Sequence, residues 1–192
     1  MATALELGIE NLKQFPPEQI ALNPGVKWDK INNILEVEYF GKACSIQYPD
    51  IKFLDEKLTN REKILILHYL SKVKPDIKEN DISEAIGFKD NISGQLYSPH
   101  IYLRIYKPLI EKFGKTPQEI FNKSKDLNGQ PINISDFSVK FIVLPKIYVI
   151  FIIYPASEEF PPDVKVVFTP NIYSVFEFED IIVMCEESIR KL

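Results

Sequence analysis

Glu158 and Glu159 are adjacent carboxylates, followed at once by Phe160, Pro161, Pro162 and a third acid, Asp163. The two prolines fix the backbone just after the acids, which lowers the entropy cost of holding charge in one place. Neighbouring side chains on an extended segment point opposite ways, so one of Glu158 and Glu159 faces any given pocket. Met by Asp163 or by Glu177, that carboxylate would offer oxygen ligation to magnesium or calcium. The plainer alternative is a solubilising turn, with a Glu pairing a Lys or capping backbone N–H groups. General acid–base work by the same pair is a third reading.

Few other residues invite chemistry. The chain has two histidines and two cysteines. His68 shares a helix stripe with Arg61 and Lys72, which suits a solvated side chain, and His100 falls in the first turn of a later helix. Neither stands beside a nucleophile, so a Ser-His-Asp or Cys-His triad is disfavoured. Cys44 and Cys185 both fall on apolar stripes and read as core. They are far apart with no C-x-x-C spacing, which excludes a disulfide framework and an iron–sulfur or Cys-based zinc site within the monomer. G-x-S-x-G, G-x-G-x-x-G, Walker A, H-E-x-x-H and EF-hand patterns are absent, and no cofactor is expected. Tyr97, Tyr102 and Tyr106 recur at helical spacing, which reads as core before it reads as a stacking platform.

The elements that position these residues follow from periodicity. Phe137 to Val143 alternates apolar and polar; Ile147 to Tyr154 has no polar alternation and predicts a central strand covered on both faces; Val164 to Phe168 alternates again. A Pro145-Lys146 turn joins the first two strands, the rigid acidic loop 155–163 joins the third, and a helix from Phe178 closes the unit, with Glu186, Glu187, Arg190 and Lys191 outside. Earlier in the chain, Thr3 and Glu6 make a capping-box spacing for a first helix. Leu35–Tyr39 and Cys44–Tyr48 form a β-hairpin around Gly41. Thr59 with Glu62 caps the strongest helix, Ser98-Pro99 opens another that Pro108 kinks or splits, and Thr116-Pro117-Gln118-Glu119 combines cap, Pro and capping box for the next.

The expected fold is therefore a single α+β domain over 1–192. Its mainly antiparallel sheet comprises the N-terminal hairpin and a C-terminal three-stranded unit, packed with helices. Residues 1–58 hold the N-terminal helices and hairpin, 59–130 a helical segment, and 131–192 the β-β-β-α unit.

Charge and length exclude several functions. Net charge is −4 with a pI near 5.3, and no dense Lys/Arg run occurs, so nucleic-acid binding is not expected. The longest apolar run, Ile147–Tyr154, is far short of the roughly 20 residues a membrane helix needs. The N-terminus shows no basic and apolar leader, and a cytoplasmic location follows as the expectation.

Several stretches together resemble a known family: ILILHYL (64–70), YSPHIYLRIYKPLIEKFG (97–114), Asp136, VLPKI (143–147), SEEFPP (157–162), VVF (166–168) and FED (178–180). In this order they are similar to the domain-of-unknown-function family 3786, found mainly in anaerobic bacteria and archaea. Some members are fused to an iron–sulfur domain of the kind found in anaerobic one-carbon and corrinoid enzymes, so the resemblance implies a role near that metabolism. It supplies no mechanism. Acids often stand in that family where this chain has Ser157 and Thr169, and a Pro where it has Tyr148; the loss of the two acids weakens a metal or acid-catalyst reading here.

Three functions remain in view. The first is an accessory or binding domain that recognises a partner protein or small ligand through loop 155–163 and the helix start 177–180, with Glu158, Glu159, Phe160, Asp163 and Glu177 as contact residues. The second is a metal-assisted enzyme using Glu158 or Glu159. The third is a homodimer built on the exposed edge of strand 137–144.

Overall fold

A computed structural model describes residues 2–192. The expected central strand organises it. Strand β8 (Ile147–Tyr154) lies between β7 (Ser138–Leu144) and β9 (Asp163–Phe168), all antiparallel. Two-residue strands complete a five-stranded sheet in the order β5-β9-β8-β7-β6, with β5 at Ile86–Gly87 and β6 at Gln130–Pro131. Alternation along β8 sends Ile147, Val149, Phe151 and Ile153 into the main core. Tyr148, Ile150 and Ile152 face the other way, against Ile82, Ala85 and Ile132. Both faces are covered, as the absence of polar residues requires.

The second cover is a strap, residues 78–85, latched by polar contacts. Tyr148 Oη donates to the Asp81 carbonyl at 2.9 Å, Asn171 Nδ2 to the Lys78 carbonyl at 2.6 Å, and Thr169 Oγ1 to Asn80 Oδ1 at 3.1 Å.

The N-terminal β region is larger than a hairpin. Strands β2 (Ile34–Tyr39) and β3 (Lys42–Gln47) are flanked by β1 (Val26–Asp29) and β4 (Lys52–Phe53) in a four-stranded antiparallel sheet. The flanking strands are too short to show a period of two, so the sequence hides them. One core holds residues of both sheets. The Phe40 N–H donates to the Val143 carbonyl at 3.0 Å. The buried Tyr69 hydroxyl sits between two turns, 2.9 Å from Pro24 O and 3.0 Å from Pro145 O, which share its single proton. Gly25, at φ +68, makes the first of those turns, and Pro145 fills the space a Cβ would need.

Helix starts obey the capping rule in part. Helix α1 (Ala4–Leu12) and α3 (Asn60–Lys72) begin at complete capping boxes on Thr3/Glu6 and Thr59/Glu62. A short α2 (Pro17–Ile20) lies between. The expected box at Thr116 does not form: α7 (Glu119–Lys123) is entered through a tight turn in which the Glu119 N–H bonds the Thr116 carbonyl instead of its hydroxyl. Nor is Ser98 a cap. The helical run begins earlier, at Asn91, whose side chain accepts from the Ser93 N–H at 2.8 Å. It proceeds through α4 (Ile92–Leu96), α5 (Ser98–Ile101), a π-helical turn at Tyr102–Tyr106, and α6 (Lys107–Phe113). Pro108 therefore does not split the run. Its missing N–H and bulky ring are accommodated by the wide turn before it, where Lys107 N–H reaches back to Tyr102 O.

The last helix, α8 (Phe178–Lys191), packs its apolar stripe, Cys185 included, into the core. Two sequence expectations fail against it. His68 is not a solvated side chain: its Nδ1 lies 2.9 Å from Asp180 Oδ2. Glu187 does not point outward; it is 1% exposed and ion-paired to Arg61 and Arg190. Opposite it, the fully buried Glu62 meets Lys191 at 2.7 Å. The charges between α3 and α8 form a seam whose acids, Glu62 and Glu187, are buried while the basic partners Arg61 and Arg190 stay half exposed.

The edge of strand 137–144 is not free either. Strand β6 pairs Gln130 with Lys140 and Pro131 with Val139, the Ile132 N–H donates to Ser138 O, and Phe40 covers Val143. That corrects the expected dimer edge. No helix among the described residues is long and apolar enough to cross a membrane.

Candidate functional site

The helical run 92–113 presents four different faces. Gly94, Ile101, Ile105 and Leu109 are buried in the protein. Ser98, Tyr102 and Tyr106 wall a cleft on one side; Ser93, Tyr97, His100 and Arg104 wall a groove on the other. Between them Ile92, Leu96, Pro99 and Leu103 stand in solvent. Spacings of three and four residues produce the three outer sets, and the buried set follows the same spacing from Ile101 on.

The cleft, about 510 Å³, is closed opposite the helix by Gly87–Asp90 and by the free part of β9, Asp163–Val166, with Tyr154 at its mouth. It falls in the size range of small-molecule sites. Strand β5 covers only Val167 and Phe168, leaving the start of β9 unpaired on this side. Asp163 covers that edge in part: its Oδ1 accepts from the Val164 N–H at 2.8 Å. Asp90 accepts from the Gly87 N–H at 2.6 Å. Each carboxylate is thus held by its own backbone, and Lys89 and Lys165 join them in the lining. Burial, with smaller contributions from Cys185 and Asp163, pushes the Tyr106 hydroxyl up to about 12, so it stays protonated.

The groove, about 480 Å³, is lined by Tyr97, His100, Arg104, Glu177, Phe178 and Glu179, with Ser93 and Ile182. Tyr97 and Phe178 lie 5.9 Å apart between ring centroids. Arg104 is an anchor: Nε and Nη2 donate to Glu186 at 2.6 and 2.9 Å, and Nη1 donates to Glu179 at 3.1 Å. Those bonds raise its affinity for a proton further. Helix α8 starts here with Glu177 as cap residue and Asp180 accepting the Glu177 N–H at 3.1 Å. Asp180 thereby fixes the helix start and also holds His68.

The five residues singled out from sequence do not converge. Asp163 lines the cleft and Glu177 the groove, on opposite sides of the helix. Glu158, Glu159 and Phe160 form the tip of their loop, in solvent, with Phe160 68% exposed. The tip closes on Ser157, which accepts the Phe160 N–H on Oγ at 3.1 Å and donates its own N–H to Phe160 O. Among the described residues no group of three His, Cys, Asp or Glu side chains is placed to hold a metal ion. Sequence reading missed Asp90, Tyr154 and Arg104. Of the three tyrosines read as core before platform, Tyr106 does pack against the core and also lines the cleft, whereas the half-exposed Tyr97 and Tyr102 line the groove and the cleft. The i, i+4 repeat Ser98-Tyr102-Tyr106, polar at one end, was the available signal.

Cys44 and Cys185 are buried free thiols, as expected. Burial, with Asp55 and Glu62 adding to it, pushes Cys44 up to about 12, and burial raises Cys185 as well.

No curated protein and no solved structure gives a match to the chain. A family model described as "Domain of unknown function (DUF3786)" matches residues 16–191, which is nearly the whole chain. The resemblance carried by the segments from ILILHYL to FED is thereby established, and the chain belongs to the DUF3786 family.

Proposed function

We propose that this protein is a binding domain whose ligand site is the cleft between the 98–106 helix wall and the free edge of β9. The ligand chemistry that fits is a small ring-bearing zwitterion, of the type of an aromatic amino acid. One observation carries the reading: three tyrosines, two aspartates and two lysines line a single cleft of about 510 Å³. Aromatic faces accept a planar group and favour a nearby ammonium. Asp90 and Asp163 suit the ammonium, and Lys89 and Lys165 suit a carboxylate. The acidic loop then contributes through its last residue, Asp163, and its rigid prolines hold that residue in place. The two free, buried thiols suit a reducing compartment, and the reading extends to a cytoplasmic protein.

The test is a thermal-shift titration with L-phenylalanine and L-tryptophan, against phenethylamine (cation only) and 3-phenylpropionate (anion only). A saturable rise is expected with the zwitterions, since a ligand at 100 times its dissociation constant adds about 2.7 kcal/mol. Asp163→Asn and Tyr102→Ala should each remove it while leaving the unliganded melting temperature within a few degrees. No shift with any of the four, or an undiminished shift in both variants, overturns the assignment.

A further inference from the structure

We propose that the ridge of Ile92, Leu96, Pro99 and Leu103 is a self-association surface, on which a second copy of this chain docks about a two-fold axis. The proposal is independent of the ligand cleft. Ile92 and Leu96 are each 76% exposed and Leu103 59%, a concentration of bare apolar side chains on one helix face. Isolated surface hydrophobes are ordinary, but a contiguous row marks a contact surface.

Three observations favour a second copy as occupant. First, no Asp, Glu, Lys or Arg occurs from Asn91 to Leu103, in a chain that is 26% charged. A protein of net charge −4 repels itself elsewhere; here two copies meet without opposing like charges, and charge depletion is the mark of an interface core. Second, the ridge stands beside a groove of about 480 Å³, so a two-fold places each ridge in the other's groove. The charges around it, Glu177, Glu179 and Lys107, already pair within the chain with Lys72, Arg104 and Glu111, so apolar contact carries the association. Third, covering the ridge with Tyr97 beside it removes on the order of 500 Å² per copy, approaching the ~800 Å² per partner of a stable complex. The cleft, on the ridge's other flank from the groove, lies outside this contact.

Light scattering coupled to size exclusion decides it. Wild-type protein is expected at twice the 22.2 kDa chain mass, and the double variant Leu96→Glu/Leu103→Glu at the chain mass with unchanged circular dichroism. Leu7→Glu, which alters an exposed leucine on α1, should leave the dimer intact. Hydrogen exchange on the wild type supplies a second readout: amides of 92–103 should gain protection as protein concentration rises. A wild-type monomer at the highest soluble concentration overturns the proposal. So does a dimer that survives in a folded double variant, or exchange at 92–103 that does not depend on concentration.

Discussion

Tyr39 shows how much a single buried group can oppose the fold around it. Its hydroxyl is buried without a hydrogen-bond partner among the described residues. Burial first, then the charges of Glu62 and Glu187, push its ionisation well above the ordinary range. A neutral, unpaired donor in such a place contributes nothing that its ring does not. Tyr39→Phe should therefore leave stability unchanged or raise it by about 1 kcal/mol, read as the urea midpoint. A loss above that amount would show that the hydroxyl is satisfied in solution. At this scale the sequence was legible where burial follows from pattern: Cys44 and Cys185 fall on apolar stripes and are buried. It was not legible where a partner is distant. His68 and Asp180 are 112 residues apart, and no local spacing announces that pair.

Among the elements, the π turn at Tyr102–Tyr106 depends on Pro108 from one side and on Arg104 from the other. Arg104 ties the turn to α8 through Glu186 and Glu179. Arg104→Met should destabilise the protein by about 1–2 kcal/mol, because Glu186 keeps Arg61 as a second partner. Arg104→Lys should restore less than half of that loss, since an ammonium cannot reproduce the two-pronged contact. Chemical denaturation of the three proteins tests both statements; equal stability of the Lys variant and the wild type would assign the turn to Pro108 alone. The long elements could be read in advance. Ile147–Tyr154 has no polar position to expose, and Thr59 and Glu62 mark the start of α3. The two-residue strands at Lys52, Ile86 and Gln130 could not, because two residues have no period. They exist because a neighbouring strand offers them a ladder.

The whole molecule is joined across α3 and α8 by ion pairs, and this gives its stability a pH dependence. Burial raises the Glu62 and Glu186 carboxyls, but their basic and backbone partners outweigh it, and both end below the ordinary glutamate value. Lys191 and Thr59 act on Glu62, and Arg104 and Arg61 on Glu186. A carboxyl depressed in the folded state stabilises above its unfolded pKa and loses that contribution as pH falls through the folded value. The melting temperature should thus be flat for these groups at neutral pH and fall below about pH 4.5. Glu186→Gln should flatten the acid limb while lowering the plateau, and an acid limb identical to wild type would place the coupling elsewhere.

The strap 78–85 also sets an order in time. Its latches sit on Tyr148 in β8 and on Thr169 and Asn171 beyond the end of β9. The receiving surface exists only once those two strands have paired. The meander β7-β8-β9 is sequence-local and closes over short loops, so it can assemble early. The strap closes afterwards, on a surface already made. Those three bonds and the contacts of Ile82 and Ala85 are all that local opening of the strap has to break, and it would leave Ile150 and Ile152 covered on that face by Ile132 alone while the main core stayed shut.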